Sequence, residues 1–452
     1  MPEPIPVITG RELLPHLLRI QSDTLGFIMS TTQRYGDLVH FDLGITHAYL
    51  VNQPDAIKHI LQDNHRNYTK DTIQYNSLAT ITGRGLLTSD GDLWFRNRRL
   101  EQPAFSRSRV LALDEVVVPA VQAMLARWKA ALAGGQPVVD VDAAMMQVTL
   151  QVVGKALFGI DLSRDAHSLT GAVLTCLDHI VYKARRMIVP PDWVPLPRSL
   201  RFKRALRLLD EAVYALIDAR LAADSPGGDL LGMLLQARDP DNGQAMSRQQ
   251  LRDEVITLLI AGHETVASAL TWTFYLLAQS PQAAAVMGAE AQRVLGGRLP
   301  TSVDLPELAY TGQVFDEALR LYPPAWLITR KSLAADCLDG RDVLAGALFI
   351  ISPYAVHRHP QVWAEPEAFD PGRFAAGAER LRPRFAYIPF GGGPRLCIGN
   401  HFALTEARLI LAMVAQSFRL ELLPGSKVVP DPLVTIRPHG GLLMKIVTFS
   451  VP

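Results

Sequence analysis

The sequence predicts a mainly α fold with a small β part, and three observations carry that prediction. From residue 54 onward, apolar residues recur at helical spacing over most of the chain. One run, 247–279, reads as a single helix of over thirty residues, roughly 48 Å long at 1.5 Å per residue. Short alternating runs at 38–43 and 48–51, and a stretch at 434–447, read as hairpins of strands.

The elements follow in chain order. The chain opens Met-Pro-Glu-Pro-Ile-Pro, with no basic region and no continuous apolar run, so neither a signal peptide nor a leading membrane anchor is expected. Beyond the first hairpin, helices are expected at 54–63, 106–132, 142–158, 165–186, 200–223, 229–237 and 310–320, besides the long run. Gly- or Pro-rich breaks fall at 134–137, 189–197, 225–228 and 239–243. Ser247 with Gln250 forms a capping box that starts the long helix, and Ser280-Pro281 stops it. After Leu327, short strands and turns lead to a glycine-rich loop, and 400–418 reads as a helix.

Charge and cysteines bound the function. The formal net charge is +1, so nothing points to nucleic acid. Cys176, Cys337 and Cys397 are odd in number and argue against a disulfide framework, so a reducing, cytoplasmic setting is expected. Residues with chemical interest are scattered from Trp94 to Cys397, which predicts one domain over 1–452; a monomer is expected.

The long run is almost wholly apolar from 255 to 278. In a bilayer, His263 and Glu264 would lie near the midplane at a cost of roughly 3 kcal/mol for a charged group, so a helix through a soluble core is expected. Gly262 costs about 1 kcal/mol in a helix and is expected to leave room for a flat ligand. Thr265 is placed to bond a carbonyl one turn back, beside the acid Glu264. Alone, this is equally a packing glycine next to a satisfied Glu and Thr.

The loop 390–399 reads Phe-Gly-Gly-Gly-Pro-Arg-Leu-Cys-Ile-Gly. Gly391, Gly392, Gly393 and Gly399 are expected to let backbone approach a flat ligand and to take positive φ where needed. Nearby N–H groups can stabilise a thiolate at Cys397. A lone cysteine is otherwise a small buried hydrophobe. The pattern Phe390, Gly393, Arg395, Cys397, Gly399 resembles the haem-binding loop of the cytochrome P450 monooxygenases. That resemblance implies a triangular helical prism with the long helix over haem b. It also implies Cys397 as the axial thiolate on iron, Arg395 on a haem propionate, and Phe390 beside the sulfur.

Other stretches extend the resemblance. The run 261–265 is similar to the family's A-G-x-[DE]-T, which implies that Thr265 donates to bound dioxygen while Glu264 relays protons. His263 fills the variable position and is read as structural. Trp94 and Arg98 match W-x-x-x-R, implying propionate contacts, and Arg330 sits where a further propionate arginine is common. Glu317, Arg320 and Arg373 match a buried ion-pair triad that supports the cysteine loop. Taken alone, the Glu317/Arg320 spacing is an ordinary helix pair worth a few tenths of a kcal/mol.

Stretches 81–88, 261–272, 318–326 and 434–442 are similar to bacterial members that hydroxylate the β-ionone rings of carotenoids. Ile73, Leu78, Ile81, Ala261, Trp326 and Val434 are expected around the substrate, though each is equally a core residue. Between 182 and 204, Met187, Ile188, Val189, Trp193 and Val194 mix with basic residues such as Lys183, Arg185, Arg186 and Arg198. That composition suits either a peripheral contact with the inner face of a membrane or a solvated lid. No flavin or iron–sulfur motif is found, so NAD(P)H electrons are expected through a ferredoxin and its reductase. Fatty acids, terpenes and steroids are alternative substrates. A non-enzymatic haem sensor is the alternative from another class, and it would not need Glu264 and Thr265.

Overall fold

The long apolar run forms one helix, Arg248–Gln279, in the computed structural model. The structure describes residues 4–12, 19–44, 46–161, 166–184, 190–191, 193–223, 227–239 and 243–448. Ser247 caps this central helix, its Oγ accepting the Gln250 N–H at 3.1 Å. The reciprocal half of the expected capping box is missing, because Gln250 Oε1 accepts from Arg96 Nη1 at 2.9 Å instead. Among the described residues this is the one helix long and apolar enough to cross a membrane, and 83% of its apolar window is buried inside the protein. Val141–Phe158, Pro197–Leu221, Ala309–Leu321 and Asn400–Ser417 pack around it.

Gly262 lies where Val141–Phe158 comes close, and a Cβ there would sit 3.0 Å from Val153 Cγ2. The glycine lets two helices approach each other. It does not clear space for a flat ligand, as the sequence suggested.

The predicted class, mainly α with a small β part, holds. Leu38–Asp42 pairs antiparallel with His47–Val51, with His40 opposite Tyr49. This hairpin belongs to a six-stranded sheet in the order Val7–Thr9, Leu38–Asp42, His47–Val51, Leu348–Ile351, Ile328–Ser332, Tyr68–Thr69. The stretch 434–447 is not a hairpin. Ile436–Pro438 pairs with Pro430–Pro432, whereas Leu443–Thr448 pairs with Phe418–Leu422 and Val138–Asp140. Gly440 and Gly441, at φ of 80° and 85°, turn the chain from one sheet to the other.

The 106–132 run divides into Arg107–Leu111 and Asp114–Ala133, where Asp114 and Glu115 favour a fresh N-terminus. Among the described residues, five α-helices escape the apolar pattern: Thr24–Tyr35, Ile73–Thr82, Gly91–Glu101, Pro281–Leu295 and the short Pro353–Val356. In Gly91–Glu101 the buried positions are Trp94, Asn97 and Glu101, so two of three inward side chains are polar and no apolar stripe exists.

The loop between Ile73–Thr82 and Gly91–Glu101 is held on the central helix through its backbone. Asp253 Oδ2 accepts the Arg84 N–H at 2.9 Å, and Glu254 Oε2 accepts the Leu86 N–H at 2.7 Å. A Cβ on Gly85 would lie 2.1 Å from Thr257 Oγ1 and 2.7 Å from the Asp253 carbonyl oxygen. Gly85→Ala is therefore expected to lower stability by about 1–3 kcal/mol, read from the denaturation midpoint. An unchanged midpoint would mean that the loop is not pinned at this contact.

Candidate active site

The cysteine loop runs straight into Asn400–Ser417, with Gly399 at the N-cap. The Cys397 N–H donates to the Phe390 carbonyl at 3.0 Å, and the Leu396 N–H to that of Gly393 at 3.1 Å. Gly391 and Gly393 take φ of 73° and 65°. Their setting corrects one expectation. A Cβ on Gly393 would meet the Leu61 carbonyl oxygen at 2.0 Å, and one on Gly392 would meet Phe385 Cε1 at 2.3 Å. Around Gly399 the nearest such atom is Phe105 Cε1 at 3.7 Å. Gly392 and Gly393 fit the loop against protein, whereas Gly391 has nothing within 4 Å of such a Cβ.

Cys397 keeps accessible surface, yet burial pushes its thiol pKa up, against the pull of the Gly399 N–H and the Arg98 guanidinium. Arg98 Nη1 donates to the Leu396 carbonyl at 3.0 Å. Phe390 packs against the main core and meets Cys397 through its carbonyl.

Three cations gather near the loop. Arg395 lies over the Trp94 ring, 4.2 Å from its centroid. Arg330 Nη1 donates to the Tyr75 hydroxyl at 3.4 Å, and Lys70 Nζ sits 4.7 Å from the Tyr75 ring centre. Asp90 pairs with Arg395 and accepts the Lys70 backbone N–H at 2.5 Å. Burial, then Arg330 and Arg395, hold the Lys70 ammonium well below the usual lysine range. One carboxylate facing three largely buried cations leaves surplus positive charge, which a ligand bearing two carboxylates would offset. Lys70 belongs to no motif, and only its place just after Tyr68–Thr69 brings it to Arg330 and Arg395.

On the central helix, Ala261 and Thr265 are half-buried while His263, Glu264 and Val266 are buried. One helix face thus fronts open space. Thr265 Oγ1 donates to the Ala261 carbonyl at 2.6 Å, the bond expected from the sequence. Glu264 Oε1 accepts from Thr435 Oγ1 at 3.0 Å. Burial raises the Glu264 pKa to about 7, partly offset by Arg437 and by the Thr435 hydrogen bond. Burial, aided by Arg437, lowers the His263 pKa to about 3, so its ring is neutral.

The three triad residues meet. Glu317 accepts from Arg320 Nε and Nη2, both at 2.7 Å, and Arg373 Nε lies 3.4 Å from Glu317 Oε1. Arg320 also donates to the carbonyls of His357, Pro366 and Ala368 at 2.9, 2.6 and 2.9 Å. His357 carries the link onward, its Nδ1 bonding the Arg320 carbonyl at 3.2 Å and its Nε2 accepting the Ile388 N–H at 2.8 Å. Ile388 is two residues before Phe390, so the triad reaches the cysteine loop through one imidazole.

The expected substrate residues take different settings, with Ala261 half-buried on the central helix. Leu78, Ile81 and Val434 belong to or pack on the main core. Trp326 lies in a separate cluster with Trp272 and Ile436, and its Nε1 donates to the Leu433 carbonyl at 2.9 Å. Ile73 is 71% exposed, which removes it from any enclosed pocket; it is the first residue of its helix and points to solvent. Trp193 is 77% exposed. Arg185, Arg186, Met187, Ile188 and Val189 lie outside the described residues.

An accessible thiol beside surplus positive charge is the donor set that a haem-thiolate protein requires. Comparison with known families agrees: the cytochrome P450 model matches residues 5–451, and the chain belongs to that family. Haem-thiolate iron and the use of dioxygen follow from membership, and the protein is an oxygen-incorporating oxidoreductase. It is 38% identical over 432 residues to cyclooctatin synthase of Streptomyces melanosporofaciens, covering 94% of this chain and 92% of that one. It is 34% identical over 411 residues to pentalenene oxygenase of Streptomyces avermitilis, covering 90% and 89%. It is 31% identical over 434 residues to the chloroplastic carotene epsilon-monooxygenase of Arabidopsis thaliana, covering 91% and 80%.

Proposed function

We propose that this monooxygenase, acting as one domain over 1–452, hydroxylates the β-ionone ring of a carotenoid. The observation that carries the substrate reading is the similarity, along 91% of the chain, to a carotene epsilon-monooxygenase. The apolar Ala261 and Val434, both half-buried, suit a hydrocarbon ring. Cys397 would ligate haem b, and Arg395, Arg330, Lys70, Trp94 and Arg98 would hold its propionates. When bound, the haem supplies a thiolate-ligated iron that favours O–O cleavage. Thr265 would hold a proton at Oγ1 on the open helix face, and Glu264 would resupply it.

The same reading extends to partners. An open cleft lined by Trp94, Phe95, Arg96, Arg98, Arg99 and Pro394, with Asp92 and with Asp239 paired to Arg96 and Arg99, lies beside the cysteine loop. Its arginines suit an acidic ferredoxin, which with its reductase would bring electrons from NAD(P)H. Exposed Trp193, Leu196 and Leu200 suit contact with the cytoplasmic face of a membrane, where carotenoids reside. The two Streptomyces relatives favour, as a second reading, a cyclic hydrocarbon of the cyclooctatin or pentalenene kind.

The test is turnover. With a ferredoxin and reductase in cells that accumulate β-carotene, a pigment heavier by one or two oxygens is expected on liquid chromatography with mass spectrometry. Unchanged β-carotene, alongside an intact reduced CO complex, would overturn the carotenoid assignment and leave the second reading.

A further inference from the structure

Glu264 and Thr265 are neighbours in sequence but not in direction. Successive helix residues project about 100° apart. Thr265 shares the half-open face with Ala261, four residues back. Glu264 instead heads a stripe with Ser268 and Trp272, at spacings of four, and that stripe meets the tail segment 433–437. Ser268 Oγ and Trp272 Nε1 both donate to the Ile436 carbonyl, at 2.6 and 2.8 Å. Trp326 Nε1 binds the Leu433 carbonyl at 2.9 Å, and Arg437 pairs with Asp142 of Val141–Phe158. Bonds on both sides therefore fix Thr435, whose hydroxyl donates to Glu264 Oε1 at 3.0 Å.

We propose that Thr435 is a positioning residue for proton delivery, holding the Glu264 carboxyl off the open face between successive proton transfers to Thr265. This rests on the reading that Glu264 resupplies protons to that face. A carboxyl 2% exposed and, among the described residues, held on the tail side must turn, or use water, to reach the Thr265 side. The charged and titratable groups facing it are Arg437 from the tail, Asp142 from Val141–Phe158 and the neutral His263 on its own helix. Arg437 favours the carboxylate and Asp142 opposes it, and the Thr435 hydroxyl adds a bond that is stronger to the charged form.

The test compares Thr435→Val, which keeps the shape and removes the hydroxyl, with Thr435→Ser, which restores it. Glu264→Gln serves as the control. The first readout needs no turnover: an infrared pH titration of the Glu264 carboxyl band, identified by its loss in Glu264→Gln. Thr435→Val should raise the midpoint by about one pH unit, since a hydrogen bond to the charged form is lost, and Thr435→Ser should return it. The second readout is coupling, as peroxide released per NAD(P)H consumed, whose pH profile should shift by the same amount in the same direction. Thr435→Ala replaces the valine variant if the latter does not fold. A midpoint and profile unchanged in the valine or alanine variant, with Glu264→Gln uncoupled, would overturn the role of Thr435 alone. Normal coupling in Glu264→Gln would instead overturn the relay reading beneath it.

Discussion

Replacing Cys397 with serine is expected to abolish oxygen insertion while leaving the fold in place. The substitution changes one atom on a side chain that keeps accessible surface. The backbone bond from residue 397 to the Phe390 carbonyl is untouched, as is the turn around Gly391 and Gly393. What is lost is the one thiol at the cysteine loop, and with it the electron-rich ligand on which the chemistry of the family depends. Turnover should fall by about three orders of magnitude or more, roughly 4 kcal/mol in the barrier. The thiolate signature of the reduced CO complex should vanish, while far-ultraviolet circular dichroism stays unchanged. A variant that kept the thiolate signature would place the ligand elsewhere.

The second large effect is on stability. All five guanidinium donors of Arg320 are used: two on Glu317 and three on the carbonyls of His357, Pro366 and Ala368. Arg320→Leu would strip those carbonyls and leave Glu317, buried without exposure, with Arg373 at 3.4 Å as its nearest cation. Breaking one partner of such a pair costs about 3–5 kcal/mol. Arg320→Lys should recover little, because a point charge cannot serve a planar fork of five donors. Chemical denaturation reads the loss, and haem retention should fall with it, since His357 ties this cluster to Ile388 near the cysteine loop. A loss under about 1 kcal/mol would mean that the cluster does not support the loop.

These two sites were legible because their chemistry is local. The loop 390–399 and the Glu317/Arg320 pair are contiguous or one turn apart, so the family patterns they resemble can be matched within short stretches of sequence. The central helix was legible for a similar reason, its apolar run being continuous. Lys70 was not, because its significance comes from Arg330 and Arg395, hundreds of residues away. The Glu264–Thr435 bond spans 171 residues and follows from how the tail crosses the helix. The tail itself misled, since two short strands with glycines between them look like a hairpin whether or not they pair. Gly262 misled in another way: a sequence marks a missing side chain but not what fills the gap, which is Val153.

The grip of Asp253 and Glu254 on the loop at 84–86 has an evolutionary corollary. Both carboxylates hold main-chain N–H groups, which every residue except proline supplies equally. The exposed side chain at 84 can therefore be exchanged without loosening the loop, whereas Leu86 is buried and carries packing of its own. A lineage built on this scaffold is free to try new side chains at 84 while the loop backbone stays where the ancestor had it.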